Sequence, residues 1–311
     1  MLAVALAAIV FRAVSSLVAR FAAPGTTDAG ETSFGIAPAI AHAVDRWFGP
    51  RLPPPASASS AVAWLAFAGA MVMLLRLAQL DLDGERAEGS VLLAAVFPFA
   101  FVFGRRGADG LFFASALAAF YGFRQQRWIV GGLCGAVATA AVPSGILILP
   151  ALAWIGLRDS SARPAWVAAA LVLAVSGLGS CLVYAYYRGG PPGGWIVAVR
   201  EWGFHFGQAP WVPLQRLFTS SLPAAERMSD AAALTAIAAV PLVAWRLNGG
   251  YAIYMLAMLW LPLTSGKYQA RGEAVALLFP LFILIASIRS RVAVVLIATT
   301  SAMFYAIGLT L

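Results

Sequence analysis

The sequence predicts an all-α protein, a polytopic bundle of about eleven transmembrane helices whose chemistry sits in the longer loops at one face. Two observations carry this reading. Of 311 residues, 61% are hydrophobic and 11% charged, with a mean hydropathy of +0.84, against roughly 45–50% apolar and 25% charged in soluble domains. The apolar residues also recur in blocks of near-membrane length separated by short polar breaks, which excludes a soluble globule or a singly anchored enzyme. The strict alternation of an outer-membrane barrel is absent.

Residues 2–22 form the first block. Arg12 and Arg20 interrupt it and no basic segment precedes it, so it reads as a retained membrane helix rather than a cleaved signal. Further blocks follow at about 61–80, 90–104, 109–123, 128–141, 145–157, 165–187, 229–246, 250–263, 275–288 and 292–310. Several are shorter than the ~20 residues that cross ~30 Å of hydrocarbon. Short or broken helices of this kind line an internal cavity, where neighbours or water satisfy irregular backbone. Residues 1–311 therefore read as a single transmembrane domain.

Three connections are long enough to carry chemistry, and the span count puts all three on one face. Residues 23–60 hold Asp28, Glu31, His42 and Asp45; residues 188–228 hold the Gly189–Gly194 run and the aromatic segment Trp202, Phe204, His205, Phe206 and Trp211; residues 264–274 hold Lys267, Tyr268, Arg271 and Glu273. The net charge is +8, and Lys267 is the sole lysine. Eleven basic residues fall on the face with the long loops and nine on the other, so the positive-inside rule leaves the orientation open. Cys134 and Cys181 lie inside apolar blocks and read as small buried hydrophobes. No Cys/His/Asp cluster has metal-ligand spacing and no Walker or Rossmann glycine loop occurs, so no cofactor is expected. The spans show no pair of similar halves, which argues against a transporter.

A pattern emerges over residues 97–154. The run Phe97-Pro98-Phe99-Ala100-Phe101, then Ala108-Asp109-Gly110-Leu111-Phe112-Phe113, then Ala119-Phe120-Tyr121, the basic break Arg124–Arg127 with Trp128, and Pro143-Ser144-Gly145 leading to Leu149-Pro150-Ala151-Leu152 resembles the PIG-V type of GPI mannosyltransferase and its bacterial relatives. The segment Trp202–Trp211, with Gln208, is similar to that family's large loop, and Phe279-Pro280-Leu281-Phe282 to its late Phe-Pro motif. The likeness covers about residues 34–288. It implies a GT-C fold and transfer of a mannose-like sugar from a polyprenyl-phosphate carrier to an extracytoplasmic acceptor. The three long loops would then be periplasmic, in a bacterial inner membrane, with a polyprenyl-phosphate lipid as partner and the lipid-linked sugar as substrate.

The resemblance also assigns roles. Asp28, or Glu31 in its place, is the carboxylate that takes the acceptor proton. Asp109 matches a family glutamate, and with Arg105, Arg106, Lys267, Tyr268 and Arg271 forms the expected donor and phosphate site. Trp202, His205, Gln208 and Trp211 form the expected acceptor loop. Plainer readings stand beside these. Asp28 suits a turn, Asp109 complements a helix dipole, Lys267 and Arg271 suit interfacial snorkelling, and His205 suits an aromatic belt. His42 and Asp45 are spaced i, i+3, an ordinary surface pair. The first loop is short, and Val142 stands where the family has arginine. Both features fit an alternative, a family member that serves as a structural or accessory subunit of a membrane assembly.

Overall fold

The computed structural model describes residues 58–100, 102–105, 107–158, 163–189, 209–218, 223–264, 268–288 and 290–310. Every regular element among them is helical. In chain order these are α1 (Ala58–Ala78), α2 (Gly84–Val96), α3 (Val102–Arg105), α4 (Gly107–Arg124), α5 (Trp128–Ala141), a 3-10 helix (Pro143–Ile148), α6 (Leu149–Arg158), α7 (Pro164–Gly189), α8 (Val212–Leu217), α9 (Ala224–Arg246), α10 (Gly249–Thr264), α11 (Tyr268–Ala276), α12 (Phe279–Ala286) and α13 (Arg291–Thr310). The expected first span at residues 2–22 lies outside the described residues. Pro164–Val183 and Glu226–Arg246 are long and apolar enough to cross a membrane by themselves. Shorter apolar helical stretches are Val62–Ala78, Trp128–Ala141, Pro143–Arg158, Gly249–Thr264 and Val294–Met303, so the count of about eleven spans is a reading of the sequence rather than of helix length.

Two blocks depart from their expected bounds for local reasons, and one expected loop is partly helical. The block expected at 90–104 begins earlier, because the Asp83 side chain accepts from the Arg86 amide at 3.0 Å and caps α2. It ends at Val96, because Phe97 precedes Pro98 and takes an extended conformation, ψ 138°. The block expected at 275–288 is two half-helices, α11 and α12, parted at Leu277–Leu278. Pro280, in the first turn of α12, has no amide to continue the α11 ladder. At the break the Leu277 carbonyl accepts from the Phe279 amide at 3.0 Å and from the buried Tyr254 hydroxyl at 2.8 Å, so the neighbouring helix helps to satisfy it. Residues 264–274, expected as a loop, are helical from Tyr268 onward.

Close approaches fix the directions of the helices. Gly110, at the start of α4, lies against Ala63 and Ala66 at the start of α1, and Arg124, at the end of α4, pairs with Asp81 just beyond α1, so α1 and α4 run parallel. Gly132 and Gly135 of α5 meet Ala170 and Ala174 of α7, and a Cβ on Gly177 would lie 1.8 Å from the Ala136 carbonyl oxygen. These helices are thus also parallel, packed through small residues that bring the backbones together as in lipid-embedded helix pairs. Thr139 locks them. Its hydroxyl donates to the Ala174 carbonyl at 2.6 Å and accepts from the Leu178 amide at 3.2 Å.

The bundle thus has two ends. One holds Asp81, the α4–α5 turn and the α9–α10 turn; there Arg124 donates to both carboxylate oxygens of Asp81, at 2.9 and 3.2 Å, and to the Tyr251 hydroxyl at 2.9 Å. The α4–α5 turn is a helix stop in which the Arg127 amide reaches the Gly122 carbonyl and Gln126 adopts φ 56°. The other end holds residues 97–100, α3, α8, the start of α9 and the start of α11. Between them lies an aromatic core in which Phe279 packs on Phe120, Tyr251 and Tyr254 at 5.0–5.2 Å. Outside, large apolar side chains face outward, Leu65 at 74% and Val172 at 71% exposure. A soluble protein avoids such a surface; a lipid solvent suits it, and the chain is a membrane protein.

Candidate functional site

The sequence places its donor-site candidates at the second end, and the chain there builds a buried ionic cluster. Arg271 sits in α11, where the Arg271 side chain is fully enclosed. Its Nη1 donates to Asp230 Oδ1 at 2.5 Å and its Nε to the Pro262 carbonyl at 3.3 Å. Asp230, in the second turn of α9, is equally enclosed, and its Oδ2 lies 3.8 Å from Arg216 Nε of α8. Arg216 in turn pairs with Glu226 in the first turn of α9. Among the described residues the cluster pairs two arginines with two carboxylates, which is how charges persist away from water. The Arg271 guanidinium ties α11 to both α9 and α10.

Backbone approach completes the cluster. The Gly272 amide donates to Ser229 Oγ at 2.8 Å, and a Cβ at Gly272 would sit 2.4 Å from the Phe99 ring. Glycine there lets the segment Phe97-Pro98-Phe99 lie directly on α11. Its neighbour Phe97 meets Phe282 of the late Phe-Pro motif edge-on at 5.3 Å. The two Phe-Pro motifs, 185 residues apart by number (282 − 97), thus pack on one another as core. Phe113, in the Asp109 motif, stacks on Phe103 at 4.9 Å. In Pro143-Ser144-Gly145, a Cβ on the glycine would meet the Ala138 carbonyl oxygen at 2.4 Å, so that motif folds the chain tightly back onto α5.

The other expected site residues fall as follows. Asp109 lies half-buried in the first turn of α4, at the same end as Arg271. Arg105 ends the short helix α3, and Tyr268 opens α11. Trp211, exposed, precedes α8 at that end. Asp28, Glu31, Arg106, Trp202, His205, Gln208 and Lys267 lie outside the described residues. Sequence reasoning missed Asp230, Ser229, Arg216 and Glu226 as partners of Arg271. The available signal was Asp230 itself, an ionisable residue inside an apolar helix, which requires a partner. No group of three or more His, Cys, Asp or Glu side chains suited to a metal occurs among the described residues.

Neither the known protein families nor the curated proteins give a match to this sequence. Among solved structures, the chain is similar to the Archaeoglobus fulgidus oligosaccharyltransferase, crystallised with a disulfide-tethered acceptor peptide containing the sequon Asn-Val-Thr. Identity is 12%, the TM-score is 0.50, and the match covers 90% of this chain and 47% of that one. The chain spans about half the length of that structure. At this identity the likeness is one of fold alone: the described helices are arranged similarly to part of that oligosaccharyltransferase.

Proposed function

We propose that the chain is an integral-membrane glycosyltransferase, PIG-V-like, that moves a mannose-like sugar from a polyprenyl-phosphate donor to an acceptor on the periplasmic face of a bacterial inner membrane. The observation that supports it best is the charged cluster of Arg271, Asp230, Arg216 and Glu226, built into a GT-C-type bundle at the end where Asp109, Arg105 and Tyr268 also lie. Fold by itself carries no activity. In this proposal the acceptor oxygen attacks the anomeric carbon, the bond from that carbon to the phosphate oxygen breaks, and the hydroxyl proton passes to Asp28, or to Glu31. The departing phosphate is held by Lys267, Tyr268, Arg105 and Arg106, where fixed cations in a water-poor setting stabilise developing charge. Arg271, enclosed and neutralised by Asp230, positions α11 and so the residues at its start. Trp202, His205, Gln208 and Trp211 cover the acceptor. The sugar donor is substrate, and no cofactor takes part.

The test is sugar transfer in proteoliposomes from polyprenyl-phosphate mannose. Asp28→Asn keeps size and polarity but removes the base, so the rate falls by roughly 10²–10⁴-fold. Asp109→Asn instead weakens donor binding. Undiminished transfer in Asp28→Asn moves the role to Glu31. A second reading, an accessory subunit, is favoured by the complete enclosure of Arg271 and Asp230; it gains if the wild type transfers no sugar from any donor of a broad panel.

A further inference from the structure

The basic break after Tyr121 lies at the end of the bundle opposite the Arg271 cluster; Arg124 is spent on the Asp81 and Tyr251 contacts, and the proposed transfer does not use Arg127. There the chain forms an open depression of about 440 Å³ between the starts of α5 and α7. Arg127 and Arg163 line it from two sides, with Trp128, Trp166 and Gln126. Both arginines are exposed, and neither is ion-paired among the described residues. Other arginines at this end are engaged: Arg124 by Asp81, Arg158 over the Trp154 ring at 4.7 Å, and Arg246 over the Trp245 ring at 5.6 Å.

Arg127 is held in place by backbone. It follows Gln126 at φ 56°, and its amide donates to the Gly122 carbonyl at 2.8 Å. The first turns of α5 and α7 carry no acidic side chain, and Arg127 provides no side-chain cap to α5. Because the two helices are parallel, their positive ends add to the two guanidinium charges. Ile129 and Val130 add apolar surface to the depression, and both are exposed, as is Leu133 one turn further along α5. Indole rings at the rim sit where tryptophan prefers the membrane–water boundary. The arrangement offers cations for a phosphate and an apolar wall for the chains attached to it.

We propose that this depression binds the headgroup phosphate of an anionic membrane phospholipid, between Arg127 and Arg163, with the acyl chains along the exposed apolar side chains of α5. The site is separate from the transfer end and independent of that reading. The test is native mass spectrometry of the delipidated full-length protein, titrated with phosphatidylglycerol or with phosphatidylcholine. The wild type binds phosphatidylglycerol preferentially. Each cation near a membrane surface contributes a factor of about five, so the double variant Arg127→Gln/Arg163→Gln loses about thirtyfold in that preference. Arg127→Lys/Arg163→Lys retains most of it. Arg158→Gln, which removes an engaged cation outside the depression, leaves it unchanged. Competition with inorganic phosphate separates the sources: millimolar phosphate does not displace the lipid. Equal binding of the two lipids, an equal loss in Arg158→Gln, or displacement by free phosphate overturns the proposal.

Discussion

Replacing Asp230 with alanine removes one of the two carboxylates that, among the described residues, pair with Arg271 and Arg216. Arg271 and Asp230 are both fully enclosed and meet at 2.5 Å, so after Asp230→Ala the guanidinium is left with a surplus positive charge and no water to carry it. Breaking a buried pair from one side costs about 3–5 kcal/mol. At roughly 2–4 °C per kcal/mol for larger domains, the unfolding midpoint falls by about 6–20 °C. The double variant Asp230→Leu/Arg271→Met removes both charges and keeps the volume. Such exchanges are often neutral or stabilising by 1–4 kcal/mol, so the double variant is more stable than Asp230→Ala although it carries more changes. The assay is the temperature at which the detergent-solubilised protein loses its monodisperse peak on gel filtration. A wild-type midpoint in Asp230→Ala, or a double variant less stable than that single one, would refute the argument from charge burial.

Two further outcomes are expected. Gly177→Ala puts a Cβ 1.8 Å from the Ala136 carbonyl oxygen, a backbone atom that cannot rotate away, whereas Gly179→Ala meets nothing within 4 Å; the first costs about 1–3 kcal/mol or more by overpacking, the second is neutral or stabilising, and the same thermal assay separates them. In a background free of Cys134 and Cys181, single cysteines placed at Gln125 and at Trp211, both exposed at opposite ends of the bundle, are labelled by an impermeant maleimide from opposite sides of the membrane; labelling of both from one side rejects the two-ended arrangement.

Helix identity was legible in this sequence because composition and block length suffice for it, and the apolar blocks from residue 61 onward each correspond to helical segments. Their bounds were less legible. The break at Leu277–Leu278 needed Pro280 to be weighed inside a continuous apolar run, and the early start of α2 needed Asp83 to be read as a cap. At the candidate site, Arg271 stood out by charge alone, but its partners did not. Asp230 is 41 residues away along the chain, and Ser229 reaches α11 only through the Gly272 amide. Hydrophobic periodicity says which residues avoid water; it does not say which helices adjoin. The Phe-Pro motifs illustrate the same limit, since Phe97 and Phe282 resemble family signatures in sequence and prove to be packing partners in space.

The Asp81–Arg124–Tyr251 contact has a consequence for the order in which the bundle is made. Asp81 and Arg124 are 43 residues apart, but Tyr251 follows Arg124 by 127 residues. At synthesis rates of about 5–20 residues per second, the charged pair emerges roughly 6–25 s before the tyrosine that shares it. During that interval α1 and α4 can already be clasped by a two-point arginine–carboxylate grip, while the hydroxyl that will join them is not yet made. Tyr251 then arrives from a third helix and docks on both partners at once, at 2.9 and 3.2 Å. The order of synthesis thus lets α1 and α4 pair before α10 exists, and the Tyr251 hydroxyl then sets the register of α10 against that pair.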